Sequence, residues 1–533
     1  MIKEKTDKSQ RIRWLFGSII VLIMLWLIGF LVANLIAEPY LQNRLTEEFT
    51  TVSDNDAELV ISEINIGFFP PSATIEGVTL AQGTDASERL KNHPVLDSKI
   101  QEITISGVGI WSLLTGGNLT IKHAEINGAD LHVTSGLMDR FTDSGQSSDQ
   151  PRSATIQSFT ISGSSIHIYR DALASVSTQL KGIDIRVTDL DVTSDSASIG
   201  DQFGRIEFKV DSVFHKTGSE FYAFEGNQIS FSTETGDFMI SEFFVKPQLS
   251  PSELSARVGH EIDHFNIRSG SIQLHALDVD ELIANRHFKA RNFTVQKLEL
   301  EISRDKNHPD KPKNERPLIN TQFSNLPFGV SLDSLSLSDG YISYREWKEG
   351  QDTSGTVFFD AVEIKMANLQ NLDKEQTIHA EASTMFLNET ELSVNFEFSL
   401  NENGYQTITG TLDEINLEVL NPVLLPMALV RLDDGIIHSL EFNFDLNEIE
   451  AKGEFIAIYD DLSLNLLNED DHQQNTGNRI VSFLANNIQV KSSNGGENPR
   501  TGEISYEREE GQSTVNYWWK SLRSGMKDLI QRI

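Results

Sequence analysis

The stretch Leu392-Ser393-Val394-Asn395-Phe396-Glu397-Phe398-Ser399-Leu400 alternates between apolar and polar side chains without a break. Successive side chains of an extended strand point to opposite faces, so this pattern makes one greasy side and one wet side. The same period of two recurs in Leu440, Phe442, Phe444 and Leu446, in Ile206, Phe208 and Val210, in Ile183, Ile185 and Val187, and in Leu298, Leu300 and Ile302. One-sided strands belong to antiparallel sheets exposed on one face. Parallel strands buried on both faces read instead as continuous apolar runs.

A loose unit repeats along the chain: an alternating strand, a small-residue turn, and a second short strand. Leu119 to Val133 carries it around Asn127-Gly128-Ala129-Asp130, Phe159 to Ile168 around Ser162-Gly163-Ser164, and Leu335 to Tyr344 around Asp339-Gly340. The repetition predicts a sheet extended by similar hairpins, its glycines supplying positive φ at a turn or bulge. Helical periodicity is confined mainly to the two ends. The long apolar surface must therefore pack on a second sheet, or curl into a groove holding something apolar. Both remain open at this level. Polar stretches at 142–153, 304–317, 468–479 and 492–502 read as solvated loops.

The chain has 533 residues, no cysteine, and 44 Lys+Arg against 78 Asp+Glu, a net −34. The missing cysteines exclude disulfides, thiolate metal sites and cysteine nucleophiles. The acidity argues against nucleic acid as a partner. Charge is nonetheless uneven. Ahead of Leu35 stand five basic residues, Lys3 to Arg13, against two acidic ones, a local +3 that leaves −37 for the remainder.

Behind that basic tail, residues 14–37 are uncharged over 24 positions. As a helix they would span about 36 Å, enough for a bilayer core of about 30 Å. A cleaved signal peptide has a shorter apolar region and a small-residue cleavage site, whereas Leu35-Ile36-Ala37 fits poorly. A retained single-pass anchor is expected, with the basic end cytoplasmic and the body across the membrane. Leu41, Leu45 and Phe49 then make a narrow helical stripe suited to packing on the next domain. The layout read from sequence is a tail at 1–13, an anchor at 14–37, a juxtamembrane helix at 38–50, a β region at 51–303, a Pro-rich loop at 304–317, a β region at 318–510 and an amphipathic helix at 511–533.

Catalytic signatures are scarce. His260-Glu261-Ile262-Asp263-His264 matches H-E-x-x-H. That motif needs a helix to bring both imidazoles to one metal, and strand-like runs follow this copy. It reads as coincidence. The glycosylation-type triplets at Asn118, Asn292 and Asn388 are short enough to arise by chance. No nucleophile elbow, phosphate loop or dinucleotide fingerprint is present, so no enzyme, cofactor or metal is expected.

The carboxyl end carries Val515, Trp518, Trp519, Leu522, Met526, Leu529 and Ile530 at helical spacing, with Lys520, Arg523, Lys527 and Arg532 interspersed. A basic amphipathic helix with a Trp pair suits an anionic membrane surface, its contacts being Trp518, Trp519, Lys520, Arg523 and Lys527. The same helix could cap the end of the sheet. The two readings are compatible.

Several of these segments resemble AsmA-like envelope proteins: the anchor and short helix, the run Ile64-Asn65-Ile66-Gly67-Phe68-Phe69-Pro70-Pro71 continuing to Leu80, the unit at 119–133, the stretch from Leu420 to Leu464, and the ending Asn516-Tyr517-Trp518-Trp519-Lys520. The resemblance implies a mainly β protein: an N-terminal transmembrane helix, a long, curled, mostly antiparallel, groove-like sheet, and a C-terminal amphipathic helix. It implies a Gram-negative inner-membrane protein with a periplasmic body of the repeating β-groove lipid-transfer type, and no catalytic residues. The expected partners are phospholipids and the inner membrane, with the outer membrane or an envelope protein as a further contact of the terminal helix. Parity nominates Ile206, Phe208, Val210, Phe396, Phe398, Phe442 and Phe444 as groove-lining residues. The rival expectation is a non-enzymatic scaffold that affects outer-membrane protein assembly.

Overall fold

In the computed structural model the described residues are 38–52, 57–68, 71–82, 98–109, 119–134, 154–170, 176–192, 203–314, 316–350, 353–401, 404–466 and 491–530. The expected tail and anchor, and the loops at 142–153 and 468–479, lie outside them. Among the described residues no helix is long and apolar enough to cross a membrane.

The protein is mainly β, with strands that pair mostly antiparallel. It divides into two units, one formed by residues up to His215 with Ile229–Glu234, the other by Lys216–Gln228 and everything from Thr235. The first contains α1 (Glu38–Val52) and strands β1 (Ala57–Phe68), β2 (Pro71–Gln82), β3 (Ser98–Ser106), β4 (Leu119–Thr134), β5 (Ala154–Tyr169), β6 (Val176–Val192) and β7 (Arg205–Lys216), paired in chain order. Strand β8 (Tyr222–Ser232) contributes to both units. The second opens with β9 (Asp237–Pro247), α2 (Pro251–Val258), β10 (Asp263–Ser269), β11 (Ser271–His275), α3 (Val279–Asn285), β12 (His287–Gln296), β13 (Glu299–Asp305) and α4 (Ile319–Ser324). It continues with β14 (Gly329–Trp347), β15 (Ser354–Gln370), β16 (Thr377–Phe386), β17 (Thr390–Ser399), β18 (Gln406–Leu412), β19 (Ile415–Asn416) and α5 (Asn421–Ala428). β20 (Val430–Leu446), β21 (Glu450–Leu466), β22 (Gly502–Glu507) and α6 (Thr514–Ile530) complete it.

The repeating unit is not a hairpin. Leu119 to Thr134, Ala154 to Tyr169 and Gly329 to Trp347 are each one continuous strand. What looked like a turn is an extra residue with positive φ inside the strand: Gly128 at 61°, Gly163 at 55° and Asp339 at 56°. One inserted residue shifts the alternation by one, so an apolar series that steps by two must step by three there. In β2 Gly77 has φ 62°, Ile75 and Val78 step by three across it, Ile64, Ile61, Ile103 and Ile100 stand opposite them, and all six lie in one hydrophobic cluster. In β15 the series runs Val357, Phe359, then Val362, Ile364, Met366, then Leu369, with positive φ at Ala361 and Asn368. The bulges keep the grease of strands as long as 19 residues on a single face.

Three pairings also depart from a ladder of hairpins. β4 runs parallel to β5, and β14 runs parallel to both β12 and β13. Parallel neighbours cannot be joined by a tight turn, so each needs a longer crossover. The polar segment at 304–317 lies in the crossover that precedes β14, within the second unit.

Short helices also occur inside the body, although periodicity placed them mainly at its ends. A helix of six to eight residues, such as α2 to α5, is too short to show a stripe. Local capping marks α2 instead. The Ser250 hydroxyl accepts the Glu253 N–H, the Glu253 carboxylate accepts the Ser250 N–H, and Pro251 holds the first turn.

Candidate functional site

Each unit has an apolar sheet face, and what covers that face differs between the two. In the first unit Leu41 and Leu45 of α1 pack on the cluster of Ile61, Ile64 and Val78. Gln42 Nε2 donates to the Ile61 carbonyl at 2.7 Å, and the Glu38 carboxylate accepts the Ile66 N–H at 3.0 Å. These bonds seat the helix over the start of the sheet.

Farther along that unit, Ile206, Phe208 and Val210 stand directly opposite Val187, Ile185 and Ile183. Directly opposed residues of antiparallel strands share a face. Parity therefore brings these three to one apolar side, with Phe208 tilted against Phe231 at 5.6 Å between ring centroids. Val210 is buried, while Ile206 and Phe208 are half-buried. Among the described residues of this unit α1 is the one helix, and its contacts are with β1 and its neighbours rather than with β4 to β7.

In the second unit the other four nominated residues also reach one face, and there they meet α6. Phe442 and Phe444 belong to a core with Ile504, Tyr517 and Leu529, and Phe444 is only 1% exposed. Phe396 stacks on Phe398 at 5.6 Å, and the Trp518 ring lies 5.2 Å from Phe396 and 6.4 Å from Phe398. The helix thus fills the hollow that these phenylalanines would otherwise line.

Its seat is built from polar anchors as well. Trp518 Nε1 donates to Gln406 Oε1 at 2.8 Å, Gln406 Nε2 to Asn320 Oδ1 at 2.7 Å, and Asn320 Nδ2 to the Ser399 carbonyl at 2.7 Å. Among the described residues β22 pairs with β21 alone, which leaves one edge of its backbone unpaired. The Asp528 carboxylate and the Ser524 hydroxyl, one helical turn apart, accept the Glu503 and Ser505 N–H groups of that edge. Two glycines bring helix and strand together: a methyl group on Gly525 would lie 2.6 Å from Ile504 Cγ1.

The Trp pair divides because successive helical residues point about 100° apart. Trp518 faces inward, whereas Trp519 is 53% and Val515 68% exposed. Lys520 bonds Glu509 at 2.9 Å, and this contact holds the Glu509 carboxyl below its ordinary range. Arg523 and Lys527 are exposed, so Val515, Trp519, Arg523 and Lys527 form one outward line at four-residue spacing.

The H-E-x-x-H stretch is not helical. α2 stops at Gly259, whose φ is 89°, and β10 starts at Asp263. His260 Nδ1 pairs with the Glu261 carbonyl, while His264 Nε2 pairs with the Leu249 carbonyl. Asp263 instead accepts from Arg304 Nε at 2.7 Å, and Arg304 also approaches Glu261 at 3.9 Å. Burial pushes the Glu261 carboxyl up, against the pull of Arg304. This is an ion network that ties β10 to β13. Gln406 and Asn320 could not have been singled out from sequence, because nothing near them carries a motif. No protein-family model and no curated protein matches this chain.

Proposed function

We propose that this is a membrane-anchored, non-enzymatic, lipid-handling protein of the AsmA-like type, whose groove-like sheet holds phospholipid acyl chains. The observation that carries this reading is the half-buried apolar face of β4 to β7, over which no helix of the described residues is laid. An acyl chain leaving water gains about 0.8 kcal/mol per CH₂, so a continuous strip of this kind is a sufficient seat for one. The resemblance to AsmA-like proteins supports an inner-membrane anchor, a periplasmic body and a role in outer-membrane biogenesis and envelope integrity. The outward line Val515, Trp519, Arg523 and Lys527 supports a contact of α6 with an anionic bilayer or an envelope partner.

Mass spectrometry of full-length protein purified in mild detergent tests the reading. Phospholipid should co-purify, and Phe208→Asp, which sets a charge in the strip, should deplete it. Lipid-free protein in repeated preparations, or equal loading of wild type and Phe208→Asp, refutes the groove. A second reading, a scaffold acting through protein contacts, draws on the other end of the chain. There α6 closes the face of β17 to β22, leaving Phe444 and Tyr517 in a dry core.

A further inference from the structure

The matched bulges of β4 and β5 place a second kind of chemistry on the polar face of the first unit. Beyond Gly128 the apolar series is Ala129, Leu131 and Val133, so Asp130 and His132 point the other way. Beyond Gly163 the same holds for His167 against Ile166 and Ile168. The parallel register sets His132 directly opposite His167 and Asp130 opposite Ser165. The two imidazoles are stacked and nearly parallel, 4.5 Å between centroids with planes 3° apart. Both Nε2 atoms converge on one Asp130 oxygen, at 3.3 Å from His132 and 3.2 Å from His167.

We propose that Asp130, His132 and His167 form a binding site for a first-row transition dication, of which Zn²⁺ is the probe of choice. The donor set is two imidazole nitrogens and one carboxylate oxygen, which suits borderline ions of this class. One donor atom from each residue lies within 4.8 Å of the others. A tetrahedral ion with bonds of about 2.0–2.1 Å holds its ligand atoms about 3.3 Å apart, the spacing already present between the carboxylate and each ring. The rings need only turn from parallel toward the common point.

Their far nitrogens already have polar partners, as those of metal-ligating histidines do, although the Gln179 amide has to turn over to accept a proton. His132 Nδ1 lies 3.0 Å from the Tyr169 hydroxyl, and His167 Nδ1 lies 2.8 Å from the Gln179 amide. On binding, each proton moves from Nε2 to Nδ1, where the Tyr169 oxygen and the turned Gln179 carbonyl accept it. Nothing is gained or lost beyond the ion. Lys181, which acts on His167 from β6, opposes a cation there, and the Asp130 charge offsets it. Three protein ligands leave a fourth position for water, and the ion would clamp β4 to β5 where the pairing is parallel.

The chain provides its own control. His438 lies between Glu414 and Asp460 at 3.2 and 3.3 Å, but it meets them through opposite ring nitrogens. No single point is shared by all three, so that cluster should not bind an ion.

Isothermal titration of Zn²⁺ into chelator-stripped, untagged full-length protein in mild detergent tests the site. One ion per chain should bind. His132→Ala and His167→Ala should each weaken binding by more than tenfold, Tyr169→Phe by about tenfold, and His438→Ala not at all. The ion should also raise the melting temperature of wild type but not of His167→Ala. Absence of saturable binding, or unchanged affinity in both histidine variants, overturns the proposal.

Discussion

Replacing Gly525 with alanine isolates the seating of the C-terminal helix, because the substitution has opposite effects on the helix alone and on its packing. In a solvated helix alanine is favoured over glycine by about 1 kcal/mol. Here the added methyl would stand 2.6 Å from Ile504 Cγ1 and 2.8 Å from Phe455 Cβ. Neither neighbour can give way: both are buried core residues, and one contact is to the atom that leaves the backbone. Ordinary carbon contacts lie near 3.7 Å, so the helix must lift by about 1 Å. A gap of that size forfeits a quarter to a half of each dispersion contact along the face. Overpacking of this kind typically costs about 1–3 kcal/mol, which after the propensity gain leaves a net loss of up to about 2 kcal/mol. Hydrogen exchange over the α6 segment reads it directly, as a fall in protection of up to roughly 30-fold. The exposed Arg523→Ala should change it little. If Gly525→Ala protects the helix better than wild type, the helix is not clamped against Ile504 and Phe455, and the core assigned to that end is wrong.

Three more outcomes follow from the same geometry. Gln406→Leu removes the partner of both the Trp518 N–H and the Asn320 carbonyl, so it should lower stability by about 1–3 kcal/mol in urea unfolding. Gly128→Ala forces a side chain to φ 61° with its Cβ 2.4 Å from Gln101 Cδ, and left-handed backbone alone costs roughly 1–2 kcal/mol. Adding Gln101→Ala should relieve the clash but not that remaining loss, and full recovery of the melting temperature would contradict the bulge. Glu509 titrates below its ordinary 4.5 because Lys520 bonds the charged form. The unfolded chain therefore takes up the proton first, and the bond stabilises the fold above the unfolded value and is lost as pH falls through the folded one. Exchange protection of α6 should drop on acidification below about pH 4.5, and Glu509→Gln should flatten that profile.

Strand parity was legible wherever the alternation ran unbroken. Phe396, Phe398, Phe442 and Phe444 reach one face as their spacing requires, and so do Ile206, Phe208 and Val210. Parity cannot say what lies above a face, because cover comes from residues distant in the chain. Tyr517 reaches Phe444 across more than seventy positions. The bulges were misread as turns for a related reason. A glycine with positive φ serves either purpose, and only the hydrogen-bonded partner strand decides between them. Asp130 and His132 were visible in the sequence as part of a repeated unit, yet His167 sits in another copy. The parallel register that joins them is not encoded locally. The capping box at Ser250-Pro251-Ser252-Glu253 is local and marks α2 without any periodic stripe, but a reading by periodicity passed over it.

The physical question posed by such a chain is how one-sided strands are relieved of their greasy faces. At the ends the answer is helical: α1 lays Leu41 and Leu45 on β1 to β3, and α6 lays Tyr517 and Leu529 on β20 to β22. Each of these helices also brings polar bonds that fix its position, from Gln42 and Glu38 in one case and from Trp518 and Asp528 in the other. A cover that is merely convenient needs no such bonds, since burial alone is non-directional. A cover so anchored is a permanent part of the fold. The apolar side of β4 to β7 has no comparable helix among the described residues, yet its strands keep their alternation and spend a bulge in each of β4, β5 and β6 to hold it on one side. A face maintained at that conformational cost, with no anchored helix over it among the described residues, supports the proposal of a replaceable occupant such as a flexible acyl chain.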